Sequence, residues 1–169
     1  MATIGYLLLG SNLGDRENNL AEARELISRI EGCEIVAGSA IYLSDAVEMA
    51  EGTPSFMNQV VKIDYLYTAH ELLHSLEKVE QQCGRTDKGK MVPRVIDCDI
   101  LLFGDQSIAT ERLTIPHAKL LQRPFAMLPL LEIDPMLVHP TTGKTIASYV
   151  TDRQRETVVL YRDHVARSL

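Results

Sequence analysis

Hydrophobic and polar positions change period several times along the chain, and each change marks an element. Ile4 to Leu9 is a short apolar run ending at Gly10, which predicts a buried strand followed by a turn. From Asp15 the period lengthens. Leu20, Ala23, Leu26, Ile27 and Ile30 recur at helical spacing, with Asp15 as N-cap and Gly32 as the stop. Cys33 to Leu43 returns to a strand pattern, and Ser44 to Pro54 is a loop carrying Asp45, Glu48 and Glu51. Phe56 to Tyr67 is a long β-rich run that predicts a central or near-central strand. Thr68-Ala69-His70-Glu71 is a capping box, and the helix it opens buries Leu72, Leu73, Leu76, Val79 and Cys83 before stopping at Gly84. The polar, basic segment Arg85 to Arg94 leads into a strand from Val95 to Phe103, closed by Gly104-Asp105. Ile108 to Ile115 predicts a further strand. Leu120 to Ile133 is apolar and helical apart from Pro124 and Pro129, and Thr157 to Tyr161 predicts a last strand.

The order strand, helix, strand, strand, helix, strand is the split βαβ order of a ferredoxin-like sandwich. The expected fold class is therefore α+β, a mainly antiparallel sheet with helices packed on it, in one domain spanning 1–169.

Composition narrows the function. Hydrophobic residues are 46% and charged residues 24%, which excludes a disordered, collagen-like or fibrous chain. Seventeen Lys+Arg stand against 23 Asp+Glu, a net charge of -6, and a protein devoted to nucleic acid carries a basic excess instead. Three cysteines, Cys33, Cys83 and Cys98, are too few for a disulfide scaffold and read as reduced, buried thiols. No apolar stretch is long enough to cross a bilayer, and Met1 to Gly10 lacks the charged leader of a signal peptide. A cytoplasmic monomer with small-molecule partners, and neither nucleic acid nor membrane, is the expectation.

Candidate chemistry concentrates in Asp97-Cys98-Asp99. Strand side chains alternate, so both carboxylates project from one face, about 6.5–7 Å apart. Like charges side by side in an aliphatic strand are unfavourable without a cation, and this spacing suits Mg²⁺ ions shared with a polyphosphate. The plainer reading is a solvent-facing edge strand with two acids. Just upstream, Arg85, Lys88, Lys90 and Arg94 supply the opposite charge, as a phosphate chain with bound Mg²⁺ would require. A second basic set follows in Arg112, His117, Lys119 and Arg123, although His117 after Pro116 could equally satisfy backbone in a turn. Phe56 and Asn58 share a strand face, an aromatic plate beside an amide, which suits a flat heterocycle. Taken alone, Phe56 also fits a core position.

Together these residues resemble the hydroxymethyldihydropterin pyrophosphokinase family. The match rests on Pro93-Arg94-Val95-Ile96-Asp97-Cys98-Asp99-Ile100-Leu101-Leu102, with Gly10-Ser11-Asn12-Leu13-Gly14-Asp15, Phe56-Met57-Asn58 and Gln82-Cys83-Gly84-Arg85 before it. Thr110 to His117, Arg123-Pro124-Phe125 and Pro129-Leu130-Leu131-Glu132-Ile133 follow it in the family's order. The resemblance implies a ferredoxin-like fold and an enzyme that transfers pyrophosphate from MgATP to 6-hydroxymethyl-7,8-dihydropterin, leaving AMP. By motif position it implies that Asp97 and Asp99 hold two Mg²⁺ and that Arg85 and Arg94 contact the phosphates. Glu80, Lys90, Met91, Ile100, Arg112, Thr114, His117 and Arg123 would bind ATP. Ser44, Val47, Phe56, Asn58 and Phe125 would bind the pterin, with the two rings enclosing it. Gly10 to Asp15, Ser44 to Pro54 and Gly84 to Pro93 would be lids that shut water out. The rival readings are a catalytically weakened paralogue and a ferredoxin-like module that binds a ligand or RNA without catalysis.

Overall fold

The computed structural model describes residues 1–44, 55–84 and 95–162. In chain order the elements are β1 (Thr3–Ser11), α1 (Arg16–Ser28), β2 (Cys33–Gly38), β3 (Ile41–Ser44), β4 (Phe56–Tyr65), α2 (Ala69–Gly84) and β5 (Asp97–Phe103). Then come β6 (Ile108–Ala109), β7 (Thr114–Ile115), α3 (Pro124–Ile133), α4 (Asp152–Arg155) and β8 (Val158–Arg162). The main sheet runs β5-β1-β4-β3-β8, with β2 also on β4, and every described pairing in it is antiparallel.

The expected α+β fold holds, and β4 is the central strand that its long β-rich run predicts. Local signals act as read. The Asp15 carboxylate caps α1 by accepting from the Asn18 N–H at 3.1 Å. Thr68 and Glu71 close the capping box of α2 in both directions, each bond 3.2 Å.

Several expectations are corrected. The first strand does not end at Gly10 but runs to Ser11, because Gly10 pairs with β4 and β5 on either side. The helix α1 stops at Ser28. Gly32, at φ +76°, instead turns the chain into β2, where a Cβ would lie 2.6 Å from the Tyr67 ring. Cys33 to Leu43 is two strands, broken where buried Ser39 takes over the pairing with Val60: its N–H donates to the Val60 carbonyl, and its hydroxyl accepts the Val60 N–H. Ile108 to Ile115 is a hairpin of two short strands rather than one. Between Leu120 and Ile133 only Pro124 to Ile133 is α-helical; Pro124 occupies the first turn, where its missing N–H costs nothing, and Pro129 lies inside the helix. An interior proline costs about 3 kcal/mol, set against the burial of Ala126, Met127, Pro129 and Leu130 on the sheet.

The two faces of the sheet carry separate cores. Leu7, Leu9, Val61, Ile63, Cys98 and Ile100 pack under α1 and α2. Tyr6, Leu8, Val60 and Leu101 pack under α3. Cys98 is buried while Cys33 and Cys83 are half-buried; all three are free thiols, and burial first of all pushes Cys33 and Cys83 up to about 11. Among the described residues no helix is long and apolar enough to cross a membrane.

The turn after α3 is built on His139, whose ring Nδ1 accepts from the Thr141 and Thr142 N–H groups at 3.2 and 3.3 Å. Burial lowers its pKa below the ordinary value. The unfolded chain therefore binds the proton more readily, so the stability it contributes is complete above the unfolded histidine pKa and falls as pH drops below it. His139→Asn keeps an acceptor but cannot titrate. Urea denaturation at pH 7.5 and 5.5 should show a smaller acid loss in the variant than in the wild type. Equal losses would mean that His139 takes up no extra proton on unfolding.

Candidate active site

Adjacent rows of side chains on the α3 face of the sheet form the site. The first row crosses four strands, because Asp97 pairs with Gly10, Gly10 with Asn58, and Asn58 with Tyr42. In the next row Asp99 pairs with Leu8. On the other side of the first row, Phe56 pairs with Ser44 at the start of β4. Gly10 has no side chain, so the row is hollow at its middle; a Cβ there would lie 3.4 Å from Asn58 Oδ1 and 3.9 Å from the Phe56 ring. The hollow is a pocket of about 240 Å³, roofed from α3 and lined by Leu8, Gly10, Ser44, Phe56, Asn58, Asp97, Asp99, Arg123 and Phe125.

Its polar groups are oriented by neighbours. Asn58 Nδ2 donates to the Ser44 hydroxyl at 2.8 Å and more weakly to the Tyr42 and Phe56 carbonyls, both at 3.4 Å, which leaves Oδ1 towards the hollow. The Arg123 guanidinium lies 5.6 Å from the centre of the Phe125 ring, a cation–π distance. Asp97 and Asp99 are both half-exposed, while Cys98 and Ile100 between and after them are buried on the other face. The strand β5 is the sheet edge, as the plainer reading had it, yet its two acids face this pocket rather than open water.

The pocket thus brings together Ser44, Phe56, Asn58, Asp97, Asp99, Arg123 and Phe125. The other described sequence candidates are not among its lining residues. Glu80 accepts from the Cys98 N–H at 2.9 Å on the free edge of β5. Ile100 is buried in the core beneath α1 and α2. Arg112 pairs with Glu77 of α2 at 2.8 Å and lines a groove with His70 and His74. Thr114 is exposed in the β6–β7 hairpin, beside a hollow it shares with His117 and His139. The His117 ring accepts the Lys119 N–H at 3.1 Å, satisfying the turn as one reading had it, and it also stands near Asp99. Burial lowers its pKa, with Arg123 and Lys119 adding to the effect and Asp99 opposing it. Val47, Arg85, Lys90, Met91 and Arg94 lie outside the described residues, as do most of two expected lids, Ser44 to Pro54 and Gly84 to Pro93.

The third expected lid is corrected. Gly10 and Ser11 belong to β1, the Ser11 hydroxyl donates to the Val95 carbonyl at 2.5 Å, and Asn19 Nδ2 holds the Leu13 carbonyl at 2.8 Å. This segment is part of the frame. Leu8 and Gly10 are the lining residues that sequence reasoning missed; extending the period of two from Leu8 past the assumed turn would have placed both on one face.

The donor set fits Mg²⁺. Among the described residues two carboxylates and no sulfur or imidazole line the pocket, and Mg²⁺ commonly takes one or two protein carboxylates, completing its octahedron with water and phosphate oxygens.

Comparison with known proteins identifies the family. The family model for 7,8-dihydro-6-hydroxymethylpterin-pyrophosphokinase matches residues 6–135. A 2-amino-4-hydroxy-6-hydroxymethyldihydropteridine pyrophosphokinase of Aquifex aeolicus is 41% identical over 149 residues, covering 88% of this chain and 91% of that one. The folic acid synthesis protein fol1 of Pneumocystis carinii is 41% identical over 147 residues, covering 85% of this chain and 19% of its own length. That of Schizosaccharomyces pombe is similar at 35% over 158 residues, 94% and 21%. The chain thus spans about a fifth of the length of these two relatives. Among solved structures, a Plasmodium falciparum HPPK-DHPS with pterin and p-hydroxybenzoate superposes with a TM-score of 0.69 at 16% identity, over 92% of this chain and 44% of that one.

Proposed function

The chain belongs to the 7,8-dihydro-6-hydroxymethylpterin-pyrophosphokinase family, and from that premise we propose that it transfers pyrophosphate from ATP to 6-hydroxymethyl-7,8-dihydropterin, in folate biosynthesis. The observation that carries the reading is one pocket in which a carboxylate pair stands against an aromatic and amide wall. Acids alone would suit any phosphate chemistry, and the wall alone any flat ring. Their union across Gly10 is what a pyrophosphate transfer to a heterocycle requires.

The hydroxymethyl oxygen forms a bond to the β-phosphorus as the bond from that phosphorus to the α,β-bridging oxygen breaks, and AMP departs with the bridging oxygen. In such a reaction the protein supplies positioning and charge neutralisation. Phe56 and Phe125 bracket the ring, and Asn58 Oδ1 accepts from its N–H edge. Asp97 and Asp99 would hold the Mg²⁺, two ions on our reading, that neutralise the triphosphate and orient the attacking hydroxyl when bound. Along the shared row, Asp97 is the carboxylate closest to Asn58, and so to the hydroxyl proton. Arg123 adds a permanent positive charge at the phosphate end, a role that sequence matching extends to Arg85 and Arg94.

The decisive experiment is a coupled assay for AMP released from ATP in the presence and absence of the pterin. Pterin-dependent AMP supports the reading; binding of both ligands without AMP favours a non-catalytic module. A variant sharpens the assignment of the wall. Asn58→Ala deletes an acceptor that a bound ring edge would otherwise meet, at a cost of about 1–3 kcal/mol, or roughly 5- to 150-fold in pterin affinity. Calorimetry should show that loss for the pterin and little for ATP. Equal losses for both ligands would remove Asn58 from the heterocycle wall.

A further inference from the structure

The segment Pro129 to Ile133, which the sequence singles out, has no part in the chemistry described above. Its Glu132 reaches from the last turn of α3 to the strand opposite. Both carboxylate oxygens accept from the Ala40 N–H, at 3.2 and 3.0 Å, and Oε1 also takes the Tyr42 hydroxyl. Ala40 lies in the break between β2 and β3, where the strand ladder gives its N–H no partner. Tyr42 is in register with Asn58, its carbonyl takes Asn58 Nδ2, and two residues further on the Ser44 hydroxyl takes the same group at 2.8 Å. Phe125, and Arg123 just before the helix, line the pocket from the N-terminal end of α3. One helix of ten residues, about 15 Å long, therefore supplies one wall of the pocket and fastens the strand that forms the other.

We propose that Glu132 is a positioning residue for the heterocycle half of the pocket: by holding Ala40 and Tyr42 it fixes β3 on β4, and so fixes the Ser44–Asn58 pair that meets the ring. The inference deepens the pyrophosphokinase reading and rests on it.

The molecule contains its own control. Asp134, two residues beyond Glu132, takes the Tyr6 hydroxyl and pairs with the Lys62 ammonium at 2.8 Å. Tyr6 and Lys62 face each other across β1 and β4, four residues along β1 from Gly10. Both carboxylates fasten α3 to the sheet, but Glu132 does so at Tyr42, in the row of Asn58, whereas Asp134 does so at Tyr6 and Lys62, four residues along from that row. Loss of either should lower the melting temperature, and only loss of Glu132 should disturb the ring site.

Initial rates are measured against the pterin and against ATP separately for Glu132→Ala, Glu132→Gln, Tyr42→Phe and Asp134→Ala, with thermal midpoints alongside. Glu132→Ala is expected to raise KM for the pterin about tenfold while KM for ATP and kcat stay within about twofold. Glu132→Gln keeps one acceptor oxygen and should recover most of the loss. Tyr42→Phe should shift KM for the pterin in the same direction by less, and Asp134→Ala should lower the midpoint with that KM unchanged. A lowered midpoint with unchanged KM for the pterin in Glu132→Ala overturns the proposal, as does an equal rise in Asp134→Ala. If Glu132→Ala does not fold, Glu132→Gln and Tyr42→Phe decide by the same criterion. The wild type is assayed first. Absence of AMP there overturns the pyrophosphokinase reading alone, and pterin affinities of the same variants, read from pterin fluorescence, then test Glu132.

Discussion

Asp97→Asn and Asp99→Asn are each expected to abolish AMP release while the protein stays folded. The two carboxylates lie on one face of an edge strand, about 6.5–7 Å apart, and line the same pocket. Two half-exposed like charges side by side repel, so neutralising one takes that repulsion away. The strand is held by other means: Cys98 and Ile100 are buried beneath α1 and α2, and the Cys98 N–H donates to Glu80 at 2.9 Å. Catalysis has no such reserve. Charge neutralisation at a transferring phosphoryl group is worth several kcal/mol, which corresponds to on the order of a thousandfold in rate. Circular dichroism should show unchanged spectra and midpoints within a few degrees, while the AMP assay falls to background. Near wild-type turnover by both variants at millimolar Mg²⁺ would remove the carboxylates from the metal role.

The second large effect comes from a residue with no side chain. Gly10 lies between Asp97 and Asn58 in the row across the sheet, and the pocket exists there because nothing projects from it. A lone Cβ would sit 3.4 Å from Asn58 Oδ1, an ordinary contact, so Gly10→Ala should bind the pterin somewhat less well. Gly10→Val adds that Cβ and two methyl groups inside a pocket of about 240 Å³. Overfilling a packed site costs about 1–3 kcal/mol, or roughly 5- to 150-fold in pterin affinity. Valine is a good strand residue, so β1 should keep its pairing. Calorimetry on both variants separates the cases: a graded loss from alanine to valine supports the hollow row as the ring's seat. An unchanged affinity in Gly10→Val would place the ring elsewhere.

The candidate site was legible in the sequence to unequal depths. Residues two apart on one strand were read correctly as neighbours: Asp97 with Asp99, and Phe56 with Asn58, all line the pocket. Residues assigned through family resemblance divided. Ser44, Arg123 and Phe125 join the pocket, whereas Ile100 is in the core, Arg112 is paired with Glu77, and Thr114 is on an exposed hairpin. Those last three were assigned to ATP and not to the ring. Gly10 was misread because glycine after an apolar run ordinarily signals a turn, and only pairing on both sides keeps it in a strand.

The sequence by itself determined what depends on neighbours along the chain: the caps of α1 and α2, the helical and strand periods, and the shared face of each acid or ring pair. These follow from backbone geometry over a few residues, which the local side chains fully specify. Tertiary structure alone decided which strands lie side by side and in what register. It is register that sets Asp97, Gly10, Asn58 and Tyr42 in one row, although they are far apart in sequence. Tertiary packing likewise brings Glu132 of α3 against Ala40 and Tyr42. Antiparallel pairing is chosen by burying two opposite faces of the sheet at once, a condition on the whole core that no local window of sequence contains.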